Sequence, residues 1–377
     1  MMFDIMEKPF IIFWELTRAC KLACKHCRAK AQRKRHPDEL NFEEVKKVIG
    51  QITEFSKPYP LVVITGGDPL MREDVFDIVR EGVSKGLRIA IAFSGTDLAD
   101  ESTLEELKRA GVARVAISID GSEKVHDSFR GIKGTFRMSM DILENARNIS
   151  LSTQINTTVT NHNIMHLHEI ARIAIENEVT LWDVFFVVPT GRARMEYLPT
   201  SQQFEDILNW LYDLSMLKNL NVKSSAATHL RRIEIQRKKG IKYVSDFYFR
   251  LLDELKSLPE MKDGGKIIGH SKSIAMDGIK RMMGITDGRG MFFISHIGEV
   301  YPSGFLPINA GNIREMSLKE IYCKSEIFTQ LKNPDLLKGK CGRCEFRKIC
   351  GGSRARAYAM SGDYLAEEPR CIYQPEH

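Results

Sequence analysis

The chain has 377 residues, 43% hydrophobic and 28% charged, with a formal net charge of +6. That length suits one large domain plus a smaller one, and the composition is that of an ordinary globular protein. No run of eighteen apolar residues spans a bilayer, the opening MMFDIMEKPF lacks a secretory leader's apolar core, and no basic block interleaved with aromatics reads as a nucleic-acid surface. A cytoplasmic protein with no membrane or nucleic-acid partner is the expectation.

Strand-like and helix-like stretches alternate from residue 9 to about 190. A short apolar run, Pro9–Thr17, leads into a cysteine loop. Helical spacing over Phe42–Phe55, with Asn41 as N-cap, precedes the apolar strand Leu61–Thr65, which stops at Gly66-Gly67. Helix Asp74–Lys85 precedes strand Arg88–Phe93, ending at Ser94-Gly95. Helix Glu101–Ala110 precedes strand Val112–Ile119, ending at Asp120-Gly121. Helix Phe136–Asn148, strand Thr153–Thr160, helix Ile164–Asn177 and strand Asp183–Val188 complete six βα-type units. Such a series predicts a parallel sheet with helices outside and functional loops at the carboxyl ends of its strands. Helices are then expected over Gln203–Leu217, Thr228–Lys239 and Val244–Leu255. The glycine-rich Gly264–Gly290 reads as a linker or substrate-covering loop, and Met291–Ile294 with Glu299–Tyr301 as a hairpin.

Seven of the eight cysteines fall in two clusters, which in a reducing compartment suggests metal sites rather than disulfides. The first is Cys20, Cys24 and Cys27, spaced Cx3Cx2C. Thiolates are soft ligands for iron–sulfur clusters and zinc. A four-iron cubane held by three cysteines leaves one iron open to an exogenous ligand, as an open position marks catalytic zinc. His26 is not expected as a fourth ligand, because adjacent residues in a tight loop point apart.

This motif directly after a first strand resembles the signature of the radical S-adenosylmethionine (SAM) superfamily. The resemblance implies that SAM chelates the open iron and that one electron from the [4Fe–4S] cluster cleaves it to a 5′-deoxyadenosyl radical, which abstracts a substrate hydrogen. It also implies SAM contacts. Gly66-Gly67-Asp68-Pro69 resembles the family's GGE-type motif, with Asp for the commoner Glu and its glycines letting backbone approach the ligand. Ser94, Ser118, Asp120 and Asn156 stand on or just after strands where the family contacts SAM. Arg130 resembles the arginine on the SAM carboxylate, and Val188 would abut the adenine.

Cys341, Cys344, Cys350 and Cys371 are spaced Cx2Cx5Cx20C, enough to close a metal site, and composition alone allows four-cysteine zinc there. In context they resemble a SPASM domain. Ser303 and Arg354 stand where that family often has further ligands, which implies one auxiliary [4Fe–4S] cluster, fully ligated by protein and suited to electron transfer. Cys323 is left over as a buried or idle thiol.

The expected fold is α/β, a partial (β/α)6 radical SAM barrel over residues 1–195. A helical connecting region, 196–290, and a small SPASM-like cysteine-rich domain, 291–377, would follow. The resemblance leaves two substrates open. One is a tetrapyrrole, with His229, Arg231, Arg232 and Arg192 as propionate ligands or as solvated helix faces. The other is a ribosomally made peptide, against which stands the short stretch before Cys20. The basic residues between Arg18 and Arg35 offer a docking surface for an acidic flavodoxin or ferredoxin type of electron donor, or a solvated face. A scaffold with two structural zinc sites would explain neither the cysteine triplet nor the strand-end motifs.

Overall fold

The computed structural model describes residues 4–217, 220–257 and 284–375; residues 264–283 of the expected linker lie outside them. Seven strands follow one another in parallel: β1 (Ile11–Thr17), β2 (Leu61–Gly66), β3 (Ile89–Phe93), β4 (Arg114–Ser118), β5 (Thr153–Val159), β6 (Leu181–Phe186) and β7 (Val222–Ser225). Helices α1 (Phe42–Thr53), α2 (Val75–Ser84), α3 (Glu101–Arg109), α4 (Glu123–Arg130), α5 (Thr135–Asn148), α6 (Leu167–Glu176) and α7 (Ser201–Leu214) connect them. A neutral turn does not start α1: the Asn41 side chain accepts from Glu44 N at 3.0 Å while the Glu44 carboxylate accepts from Asn41 N at 2.9 Å.

The expected hairpin forms, but it is not a separate layer. Its first strand, β8 (Met291–Ile294), lies parallel to β1 on the side away from β2, and β9 (Glu299–Tyr301) and β10 (Gly311–Asn312) follow antiparallel. One ten-stranded sheet therefore runs β10-β9-β8-β1-β2-β3-β4-β5-β6-β7, across both expected domain boundaries.

Alternation on the strands sorts side chains to two faces. Ile12, Trp14 and Leu16 of β1 are buried in the main core together with Val45, Val48 and Ile52 of α1. Each such side chain contributes about 1.5–3 kcal/mol. Ile11, Phe13, Leu61, Val63, Ala90, Ala92 and Ala116 face inward instead, and the small alanines leave the interior open. Register sets Ser118, Asn156, Asp183 and Lys223 at one level on four adjacent strands. Among the described residues, no helix is long and apolar enough to cross a membrane.

Candidate functional site

The first cysteines follow the carboxyl end of β1. Cys20 N donates to Gln32 O at 2.8 Å, and Gln32 N to Arg18 O at 2.9 Å, closing the loop on itself. Sulfur receives backbone N–H groups, Leu22 N to Cys20 Sγ at 3.3 Å and Ala31 N to Cys27 Sγ at 3.4 Å. Two glycines let other loops press on this one. A Cβ on Gly67 would sit 2.3 Å from the Ala19 carbonyl oxygen, and one on Gly66 would sit 2.5 Å from that of Thr17. Glycine there admits the cysteine loop, a support that the reading from sequence did not foresee. Gly191, at φ +66°, plays the same part for the carbonyls of Cys27 and Arg28. Arg192 then clamps the loop, donating from Nε to Cys24 O at 2.9 Å and from Nη1 to Ala31 O at 3.1 Å.

The three cysteines border a cavity that Gly66, Gly67, Ser94, Ser118, Arg130, Asn156 and Val188 also line. Asp68 and Asp120 stand behind that lining. The Asp68 carboxylate accepts from Leu70 N and the Thr96 hydroxyl, and burial pushes it up to about 6. Asp120 is fully buried, and although burial opposes its charge, Arg130 holds its carboxyl below the usual range. Its Oδ2 accepts from Arg130 Nε at 2.7 Å and Nη2 at 2.6 Å, leaving Arg130 Nη1 near Cys24 Sγ at 3.9 Å. Sequence reasoning set His26 aside, yet it lines the cavity, its ring stacked on Phe129 with centroids 4.1 Å apart. Thr158 and Phe186 also line it; strand alternation was the signal for Thr158, two residues beyond Asn156.

After α9 (Asp246–Ser257) and the strands β8 to β10 come α10 (Leu318–Lys324) and α11 (Glu326–Lys332); the second site is built from the coil around α12 (Gly339–Arg343) and from the segment after α13 (Arg354–Ser361) that carries Cys371. Cys341, Cys344, Cys350 and Cys371 surround one small cavity, closed by α8 (His229–Lys238). Glu368 N donates to Cys341 Sγ at 3.2 Å, and Arg354, nearly fully buried, reaches the same sulfur at 3.8 Å. Cys323 is exposed, so of its two expected readings, buried or idle, the buried one falls; its thiol donates to Glu7 O at 3.4 Å.

Burial raises the thiols at both sites, Cys20 and Cys344 to about 11 and Cys371 to about 12. Such sulfurs keep their protons at neutral pH until a metal displaces them, which fits ligation rather than nucleophilic use. Among the described residues, no three His, Cys, Asp or Glu side chains converge closely enough for a single metal ion. Thiols disposed around a space fit a polynuclear iron–sulfur group at both sites.

A larger cavity occupies the barrel interior between the sites. It shares Arg28, Asn156, Phe185 and Phe305 with the first, and its wall includes Thr228, whose hydroxyl lies 3.5 Å from Cys350 Sγ. Its empty volume, counted out to the mouth, is about 1570 Å³. Five cations (Arg28, Arg88, Arg114, Lys223, Arg231) and two carboxylates (Asp183, Asp287) line it, with the rings of Phe10, Phe13, Phe185, Phe293 and Phe305. Lys223 pairs with Asp183 at 2.8 Å, and Arg28 with Glu15 at 3.0 Å.

Of the four residues considered for propionates, Arg231 alone lines this cavity. Its guanidinium already donates to Ile349 O at 3.1 Å and Ile285 O at 2.5 Å. Arg232 holds Glu205 through two bonds of 2.9 and 2.5 Å, and with His229 it faces the second cysteine site. The helix packs inward on the cysteine coil, so none of its three residues is a solvated face, and His229 and Arg232 are not part of the large cavity's wall.

The Radical SAM superfamily model matches residues 14–174, and the SPASM model, an iron–sulfur cluster-binding domain, matches residues 286–345. The chain is 38% identical over 368 residues to an AdoMet-dependent heme synthase of Oleidesulfovibrio alaskensis, covering 97% of this chain and 87% of that one. It is 38% identical to a protein of the same name from Methanosarcina barkeri, covering 99% of both. Streptococcus suis SuiB bound to its precursor peptide SuiA is similar in fold, with TM-score 0.69 at 15% identity, covering 97% of this chain and 76% of that one.

Proposed function

The chain belongs to the radical SAM superfamily, and from that premise we propose that it oxidises a side chain of a haem-type tetrapyrrole. When bound, SAM and the first [4Fe–4S] cluster supply a 5′-deoxyadenosyl radical that takes a substrate hydrogen, and one auxiliary [4Fe–4S] cluster supplies an acceptor for the electron left behind.

Cys20, Cys24 and Cys27 would hold the first cluster, and Cys341, Cys344, Cys350 and Cys371 the second. Gly66, Gly67, Ser94, Ser118, Asn156 and Val188 would border SAM, with Asp68 bracing the loops behind them. Asp120 orients Arg130 so that one guanidinium nitrogen remains for an anionic group of SAM. The observation that carries the substrate reading is the wall of the large cavity, where five cations outnumber two carboxylates beside five phenyl rings. Carboxylates on the rim of a flat apolar macrocycle would meet the cations, and its faces would meet the rings. Residues 1–195, 196–290 and 291–377 serve in this reading as barrel, connecting region and auxiliary-cluster region.

An acidic electron donor of flavodoxin or ferredoxin type would dock on the basic loop beside the first site, where Lys25, Lys30, Arg33 and Lys34 are exposed.

Anaerobic incubation of the iron-loaded chain with SAM, dithionite and either a propionate-bearing iron porphyrin or a precursor peptide tests the proposal. The expected result is 5′-deoxyadenosine formed together with a mass loss from the porphyrin. A modified peptide beside an unchanged porphyrin would refute it in favour of peptide maturation.

A further inference from the structure

Helix α8 brings an unpartnered histidine to the second cysteine site. His229 is 1% exposed, and both of its ring nitrogens are buried without a hydrogen-bond partner among the described residues. The ring lines the same small cavity as Cys341, Cys344, Cys350 and Cys371. A neutral imidazole carries one N–H donor and one acceptor, and leaving a buried donor unpaired costs about 1–3 kcal/mol.

The protein groups nearby are already committed. Both oxygens of Glu368 are filled: Oε1 accepts from Arg356 Nε at 2.8 Å and Arg370 N at 3.0 Å, and Oε2 from Arg356 Nη2 at 3.1 Å and Ser353 N at 2.8 Å. Arg232 carries only donors, so it cannot take the histidine's N–H, and its two terminal nitrogens are spent on Glu205 and Gln236. Just before His229, the Thr228 hydroxyl lies 3.5 Å from Cys350 Sγ, so the amino-terminal, electropositive end of a ten-residue helix abuts the site. The ligand set is closed by four thiols, so the histidine is a donor to sulfur rather than a fifth ligand.

We propose that His229 is a positioning residue for the auxiliary cluster, donating its ring N–H to a cluster or cysteinyl sulfur and thereby raising the cluster's reduction potential. A donor to sulfur stabilises the more negative, reduced state, and such bonds are among the levers that set iron–sulfur potentials. The inference rests on the second site holding a cluster, as in the function proposed above, but does not depend on which substrate the chain takes.

The test uses the full-length chain with Cys20, Cys24 and Cys27 replaced by alanine, so that the signals come from the second site alone. Iron is counted and an EPR-monitored redox titration is run for this chain and for the same chain carrying His229→Leu or His229→Gln. About four irons are expected in the parent. His229→Leu should favour the oxidised state about tenfold, a downward shift of about 59 mV for one electron, and His229→Gln, which keeps an N–H, should restore most of it. If His229→Leu fails to retain iron, a His229→Gln chain that retains it near the parent potential supports the donor role. Unchanged potentials in both variants, or an equal fall in both, would overturn the proposal. No iron in the parent would refute the cluster reading itself, and this inference with it.

Discussion

The two cysteine sites draw on the same soft ligand but are walled differently, and the walls separate their chemistry. At the amino end, three thiols sit on a loop pressed between strand ends, and their cavity opens into the barrel interior. At the carboxyl end, four thiols surround a small cavity that α8 closes. Each site also has an arginine within reach of sulfur. Arg130, beside Cys24, is paired with Asp120, whereas Arg354, beside Cys341, donates to the carbonyls of Tyr364 and Ala366. Openness to a ligand is thus a property of the surrounding elements as much as of the number of thiols. In the function proposed above, the site of three at the barrel mouth would admit an exogenous group, and the site of four beside α8 would not.

The largest effects should separate the sites completely. Cys24→Ala is expected to abolish 5′-deoxyadenosine formation, while Cys344→Ala should spare it at least in part and block full turnover, both read by mass spectrometry of nucleoside and product. Full turnover by Cys344→Ala would remove the electron-accepting role of the second site.

Gly67→Ala should injure the first site alone, because its Cβ would fall 2.3 Å from the Ala19 carbonyl and push the cysteine loop out of place. A shift of that kind is expected to slow 5′-deoxyadenosine formation about 100-fold, with iron falling toward four per chain. Arg192→Ala, which releases the carbonyls of Cys24 and Ala31, should cost about tenfold in the same assay, about 1.4 kcal/mol. Arg192→Lys should not recover it, since a single ammonium does not reproduce the guanidinium fork.

A further effect concerns pH and is read on stability rather than on activity. His126 is buried behind the first site, where its Nδ1 accepts from Asp120 N at 3.1 Å; burial, with Arg130 nearby, pushes its pKa down to about 4. A depressed folded value means the unfolded chain binds the extra proton. The contribution is therefore complete above the unfolded value of about 6.5 and lost as pH falls from there through 4, to the extent of about 3 kcal/mol. Denaturant titrations of His126→Gln should show a shallower loss of stability across that window than the parent chain.

Much of the barrel was legible because parallel strands buried on both faces read as short apolar runs between helical stretches. Strand β7 was not, since Val222 is its one apolar residue and Lys223 and Ser225 turn inward to meet Asp183. Helix α4 escaped because Glu123–Arg130 is polar and short, its buried His126 and Arg130 committed to Asp120. The seven first-site lining residues were legible through their resemblance, in order behind the cysteine triplet, to the radical SAM pattern, and most of them stand at strand ends where βα folds carry sites. The roles of Gly66, Gly67 and Arg192 as supports of the cysteine loop were not, because only the folded chain shows what a Cβ would strike. Helix α8 misled most. Four of its first six residues are charged or polar and buried, His229, Arg231, Arg232 and Glu234, and the partners of the two arginines lie far away in sequence. Buried polar residues with distant partners leave no periodic trace.

The most direct test of the contrast between an open and a closed site is EPR of the dithionite-reduced, iron-loaded chain with and without SAM, in two variants. One lacks Cys20, Cys24 and Cys27; the other lacks Cys341, Cys344, Cys350 and Cys371. The account predicts that SAM changes the spectrum only where the first three cysteines remain. A SAM-dependent change in the chain that keeps only the second site, or none in the chain that keeps only the first, would contradict it.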